Sequence, residues 1–124
     1  MSRKPVSRKI REEVYQKYDG HCAYCGCPIS IKEMQVDHLE SVYAHNGENE
    51  IDNYMPSCRQ CNLYKSTFDL ETFRKRLKEV MFNNLRSTFQ YRMALKYGLI
   101  EEKENQEIKF YFEKCTKGKD NYGN

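Results

Sequence analysis

The sequence predicts an α+β domain stapled by four cysteines and flanked by helices. Three observations carry this. First, two Cys-x-x-Cys pairs, "CAYC" (Cys22, Cys25) and "CRQC" (Cys58, Cys61), stand apart in the chain with 32 residues between Cys25 and Cys58. Second, the chain is 39% hydrophobic and 31% charged over 124 residues, which leaves a small core of the kind that often depends on a metal staple. Third, helical periodicity on both flanks encloses a centre that reads as a strand.

Taken in order, "RKIREEVYQKY" (8–18) repeats Ile10, Val14 and Tyr18 at four-residue spacing, and Ser7 suits its N-cap. "DGHCAYCGCP" is a turn-rich knuckle. "EMQVDHLES" reads as a strand and "AHNGENEIDN" as a loop with Asn46-Gly47 as its turn signal. "MPSCRQCNLYKS" is a second knuckle running into a helix. "DLETFRKRLKEVMF" sets Leu70, Phe73, Leu77, Val80 and Met81 on one helical face for the core, with Asp69 as N-cap, and Arg74, Lys75, Arg76 and Lys78 on the other. "STFQYRMALKYG" is a further helix, capped by Ser87 and stopped by Gly98. "IKFYFEK" alternates Ile108, Phe110 and Phe112 with polar residues and Tyr111, a strand pattern. The expected division is one domain, 1–124: a basic N-terminal helix (1–20), a metal-stapled core (21–68), a helical and strand extension (69–116) and a disordered tail (117–124).

No run of about 18 apolar residues is present, so no membrane span is expected. The basic N-terminus lacks the apolar stretch of a secretory signal. The expected setting is cytoplasmic and reducing, where six cysteines serve as metal ligands or free thiols rather than disulfides. The net charge of +3 is unevenly laid out: residues 1–18 hold six Lys/Arg against two acids, 19–65 three against seven, and 66–124 twelve against nine. Basic flanks around a slightly acidic centre suit a protein that grips a polyanion and places metal-binding acids between its arms, although such charges also serve simply to solvate helix faces.

Thiolates two residues apart can turn both sulfurs toward one ion, and two such pairs make a tetrahedral site that Zn²⁺ favours. Cys22, Cys25, Cys58 and Cys61 are the expected zinc ligands. Cys27 can substitute for Cys25, and His21 is a further substitute; Cys115 is remote and reads as a plain thiol. The loop that this site closes is long enough to hold another structural unit, and Asp37-His38 lies inside it, followed by Asn53, Asn62 and Lys65.

Hydrolysing a phosphodiester needs a nucleophile, charge stabilisation at phosphorus and help for the leaving oxygen. Histidine can take a proton from water at neutral pH. A hard divalent cation held by oxygen donors stabilises the developing charge, and Asp37 and the Asn62 amide are such donors. Lys65, one helical turn after Asn62, and Arg59, between the zinc cysteines, are candidates for contact with phosphate oxygens. His45 reads as either a phosphate contact or a plain loop histidine.

The order CxxC, "VDH", "IDN", CxxC, "NLYKS" from about Cys22 to Ser66 resembles the HNH endonucleases, the ββα-metal or His-Me finger nucleases, in the subgroup with two CxxC knuckles. The resemblance covers roughly a third of the chain. It implies a ββα-metal, treble-clef-like core and assigns His38 as general base, Asp37 and Asn62 as ligands of a catalytic Mg²⁺ or Mn²⁺, and Asn53 as support for the loop carrying the base. It further implies DNA as substrate, with 5′-phosphate and 3′-hydroxyl ends. Two features depart from the pattern. The third motif residue is Asn62 rather than His, which favours an oxygen-preferring ion. The Pro that often follows the Asp-His pair is missing from "LESVYAH".

A regular strand would turn Asp37 and His38 to opposite faces, so if both serve one phosphate the backbone must bend there or the metal must sit to the side; an irregular strand end is expected. Two other function classes stand beside the nuclease: a non-catalytic zinc module that binds nucleic acid, and a protein-interaction adaptor with Phe89 and Tyr91 at its contact. A homodimer and a larger phage or mobile-element assembly both stay open.

Overall fold

The computed structural model describes residues 6–40, 51–104 and 106–119, with side chains as far as residue 115. The order of elements is α1 (Arg8–Gln16), β1 (Gln35–His38), a 3-10 turn (Ile51–Asn53), β2 (Tyr54–Ser57), α2 (Arg59–Lys65), α3 (Leu70–Lys75), a π turn (Arg76–Met81), α4 (Phe82–Arg86), α5 (Phe89–Lys96) and α6 (Tyr111–Lys119). The chain divides into two compact units, one of Met1–Leu70 with Lys109–Asn124 and one of Glu71–Ile108. His45, most of the expected "AHNGENEIDN" loop and residues 120–124 of the expected tail lie outside the described residues.

In the first unit, α1 starts where Ser7 accepts a hydrogen bond from the Ile10 amide at 3.2 Å. This cap satisfies an amide that the first turn would otherwise leave unpaired. Val14, on the apolar face of α1, joins Ile29, Met34 and Tyr54 in the core, with Ile10, Tyr15 and Val36 against them. Two basic side chains of this region serve internal carbonyls. Arg11 donates to the carbonyls of Ile31 and Met34. Lys17 donates to Ile51 at 3.1 Å and Tyr54 at 2.6 Å, and burial lowers its pKa despite the opposing pull of Asp52. Part of the charge that the sequence assigns to polyanion binding therefore holds the fold together.

β1 and β2 form a two-stranded antiparallel sheet in the register Gln35↔Ser57, Val36↔Pro56, Asp37↔Met55 and His38↔Tyr54. The pairing is regular through His38 and continues with the Leu39 amide donating to the Asn53 carbonyl at 2.8 Å. The irregular strand end is thus corrected: the ladder is regular through His38, so if Asp37 and His38 serve one phosphate the metal must sit to the side of the strand. β2 itself has no strand signature in the sequence, because Pro56 breaks the pattern. A two-stranded sheet tolerates the proline, and its carbonyl accepts the Ala23 amide at 2.8 Å, tying the first knuckle to β2.

The strand expected at 108–114 is also corrected. The chain stays irregular to Phe110 and then enters α6, which carries helix into the expected tail as far as Lys119. The amides of Tyr111 and Phe112, unpaired within a helix's first turn, donate to the carbonyls of Tyr24 at 3.0 Å and Ala23 at 2.8 Å. Glu113 reaches back to accept the Phe110 amide at 2.9 Å. The alternating aromatics therefore seat on the first knuckle rather than on a neighbouring strand.

In the second unit, α3, the π turn and α4 run almost without interruption. Bonding from i to i+5 adds a residue to a turn and rotates the next stretch of helix about the axis. Consistent with this, the expected apolar stripe is buried at Phe73, whereas Val80 and Met81 are exposed. Arg74 grips Glu71 with two 2.9 Å hydrogen bonds and donates to the Ile108 carbonyl at 2.7 Å. The N-cap of α5 is Thr88 rather than Ser87: its hydroxyl accepts from the Tyr91 amide at 3.1 Å. Gly98 ends this helix region at φ +71°. Tyr91 is buried and donates to Glu102 at 2.9 Å, while Phe89 is exposed.

Candidate metal and nuclease centre

Each cysteine pair is built around a sulfur that accepts a backbone amide. In the first knuckle the Tyr24 amide points at Cys22 Sγ (3.4 Å), the Gly26 amide closes on the Cys22 carbonyl (3.0 Å), and the Cys22 amide bonds the Cys27 carbonyl (2.8 Å). Gly26 sits at φ +82°, a conformation that a side chain would strain. In the second, Cys58 is the N-cap of α2 and its Sγ accepts the Cys61 amide at 3.4 Å. The sheet and the Ala23–Pro56 bond bring the two knuckles together. The sulfurs of Cys22, Cys25, Cys58 and Cys61 all lie within 4.8 Å of one another, with Cys25 and Cys58 3.9 Å apart. A tetrahedral ion with metal–sulfur bonds of about 2.3 Å has sulfur–sulfur edges of about 3.8 Å, so the cluster has the dimensions of such a site.

The crowding changes the thiols. Cys22 is drawn down to about 4, chiefly by the hydrogen bond from Cys61, and Cys61 is pushed upward through the same bond and by burial. Cys27 lies at the edge of the cluster, beside Cys25 and Cys58, and is pushed up to about 12 by burial first and then by those neighbours. The mutually close four are the two CxxC pairs, without Cys27. His21 turns Nδ1 to the carbonyls of Tyr18 and Asp19 and stacks on Tyr111, so its ring is used there.

Asp37 stands at the meeting point of both knuckles. Its Oδ2 accepts a 2.6 Å hydrogen bond from the Tyr24 hydroxyl and lies 3.0 Å from Lys65 Nζ. Lys65 also donates to the His38 carbonyl at 2.8 Å. Among the described residues, the hydrogen bonds and ion pair to the Asp37 carboxylate all fall on Oδ2. Asp37, His38 and Lys65 are 3%, 5% and 0% exposed, so this is a buried ion pair with a hydroxyl added. Burial, followed by the charge of Asp37, raises the pKa of Tyr24 and keeps its hydroxyl a donor.

Lys65, expected as a phosphate contact, is instead found buried against Asp37. The side chain runs inward because a buried carboxylate on β1 offers it a partner that leaves neither charge unpaired. Tyr24 went unnoticed in the sequence, since the variable position of a CxxC pair carries no periodic signal.

The other candidates fall into place around this pair. The His38 ring meets the Tyr54 ring edge-on at 5.2 Å. The Asn53 side chain clamps the backbone just beyond β1, accepting the Glu40 amide at 2.9 Å and donating to the Glu40 carbonyl at 3.0 Å. Asn62 is half-buried on α2, one turn before Lys65, and α2 packs on β1. Arg59 is exposed at the start of α2.

Residues 22–68 match the family model described as HNH endonuclease. This segment, less than half of the chain, is similar to the HNH endonucleases. The order β1, β2, α2 with a four-cysteine cluster fits the ββα arrangement of that family. A similar curated protein is the CRISPR-associated endonuclease Cas9 of Corynebacterium diphtheriae, 31% identical over 55 residues that make up 44% of this chain and 5% of that protein. Among solved structures, the crystal structure of the Type II-C Cas9 enzyme from Actinomyces naeslundii aligns at a TM-score of 0.52 and 23% identity, over 62% of this chain and 9% of that one, a likeness of fold. The chain thus spans a small fraction of the length of both relatives. Among the described residues, no helix is long and apolar enough to cross a membrane.

Proposed function

We propose that the HNH segment is a zinc-stapled, metal-dependent endonuclease centre that hydrolyses phosphodiester bonds in DNA. The observation that carries this reading is the arrangement of the motif residues around one sheet. Asp37 and His38 end β1, Asn53 fastens the backbone just beyond them, and Asn62 lies on the helix that packs against them.

In this reading Cys22, Cys25, Cys58 and Cys61 hold Zn²⁺ as a structural ion. The donor set of Asp37 and Asn62 is all oxygen, which suits Mg²⁺ or Mn²⁺. Both residues have a donor to spare: among the described residues, the hydrogen bond and the ion pair to the Asp37 carboxylate both fall on Oδ2, and the Asn62 side chain has no hydrogen bond. A divalent ion bound there would stabilise charge on the phosphorus centre and on the leaving oxygen. His38 takes the proton from the attacking water, and Asn53 keeps the backbone after His38 from shifting. Arg59, exposed at the start of α2, is a cation placed to meet a phosphate.

The test is plasmid cleavage with Mn²⁺, with chelator, and with His38→Ala. Metal-dependent nicking or linearisation is expected from the parent, with at least a ~100-fold loss in the variant. Equal rates in both proteins would remove His38 from the mechanism.

The burial of Asp37 against Lys65 favours one other reading, a zinc module that binds nucleic acid without cutting it, because the carboxylate's charge is already matched. Salt-sensitive DNA binding with no cleavage under any divalent ion would establish that alternative.

A further inference from the structure

We propose that Tyr24, the residue inside the first cysteine pair, is a positioning residue of the nuclease centre: its hydroxyl fixes Asp37 through Oδ2 and so leaves Oδ1 as the carboxylate's donor to a divalent ion. This rests on the nuclease reading above and adds a residue that the motif does not contain.

Three groups of contacts support it. The hydroxyl lies 2.6 Å from Asp37 Oδ2, the same oxygen that faces Lys65 at 3.0 Å. A carboxylate whose one oxygen is shared by two donors cannot turn about its own axis without breaking both bonds, so the orientation of the other oxygen is set. The Tyr24 ring is itself held in place. Phe110 and Phe112 meet it edge-on at 5.6 Å and 6.2 Å, and the Tyr24 carbonyl accepts the Tyr111 amide at 3.0 Å. Finally, Tyr24 is joined to the metal cluster through its own amide, which donates to Cys22 Sγ. One residue thus links the thiolate cluster, the C-terminal segment and the carboxylate. Outer partners of this kind orient a metal's ligand without touching the metal.

The experiment uses the full chain with zinc bound and compares the parent with Tyr24→Phe, which removes only the hydroxyl. Mn²⁺ affinity is read by electron paramagnetic resonance of the free ion, alongside zinc content and DNA affinity in chelator. Mn²⁺ binding about tenfold weaker in the variant is expected, with zinc content and DNA affinity unchanged. Phe112→Leu, which keeps the hydroxyl but removes one edge of its aromatic seat, should give a smaller loss in the same direction.

Equal Mn²⁺ affinity in the parent and Tyr24→Phe would overturn the proposal and leave the nuclease reading standing. A parallel fall in zinc content and DNA affinity would also overturn it, by assigning Tyr24 to knuckle stability alone. A parent that binds no Mn²⁺ would sink both.

Discussion

The two cysteine knuckles have the same spacing but are built differently. The first is a closed turn: Cys22 is buried, Gly26 reverses the chain, and α6 covers it through Tyr111 and Phe112. The second is open: Cys58 begins α2, and Arg59 and Gln60 face solvent. Yet each sends one side chain to the same oxygen, Tyr24 from within the first knuckle and Lys65 from the helix after the second. The difference separates two tasks. The closed knuckle supplies a rigid neutral donor, and the open one launches a helix carrying a charge. The four sulfurs hold both donors in one frame.

Breaking the frame should have the largest effect. If the four sulfurs hold Zn²⁺ as proposed, chelation removes metal binding of about 10–16 kcal/mol, and Cys22→Ser a large part of it. Loss of the first unit's ellipticity and of amide-exchange protection at Asp37 and Leu39 is the expected result. A first unit that keeps its protection without metal would show that the knuckles hold together by packing alone.

Next comes the charged donor. Lys65→Met strands a buried carboxylate and should cost about 3–5 kcal/mol in denaturant unfolding. Adding Asp37→Asn should recover much of that loss, which distinguishes an ion pair from simple packing.

Gly26→Ala touches only the closed knuckle. A Cβ there meets Tyr111 Cδ1 at 2.8 Å in a left-handed conformation, so a loss of about 2 kcal/mol is expected, with the α6 amides exposed to exchange. The smallest effect on stability is that of Tyr24→Phe, about 1 kcal/mol, because Lys65 still neutralises Asp37. A Tyr24 variant more costly than the Lys65 one would reverse the assignment of neutral and charged roles.

Much of the centre is legible in the sequence because its logic is local. Cys-x-x-Cys spacing brings two sulfurs to one point whatever the surrounding fold, and Ser7 and the Ile10, Val14 repeat specify α1 from neighbouring residues alone. Asn53 clamps the backbone at Glu40, and its support of the base belongs to the proposal. What escapes is directional or long-range. Lys65 shows its charge in the sequence but not the side to which it points, and that side depends on a carboxylate 28 positions earlier. The alternation of Ile108, Phe110 and Phe112 looks like a strand, yet Phe110 and Phe112 pack on Tyr24 in a knuckle more than 80 positions away. The π turn after α3 displaces Val80 and Met81 from a stripe that an ideal helix would have buried.

Amine-directed reagents sort lysines by access. Lys9, Lys75 and Lys78 stand open to acylation, whereas the ammonium of Lys65 is sealed in and bonded on two sides. A mass-spectrometric footprint should therefore skip Lys65 while the sulfur clamp is shut and mark it if chelation opens the clamp, so that a single silent lysine becomes a gauge of whether the centre is assembled.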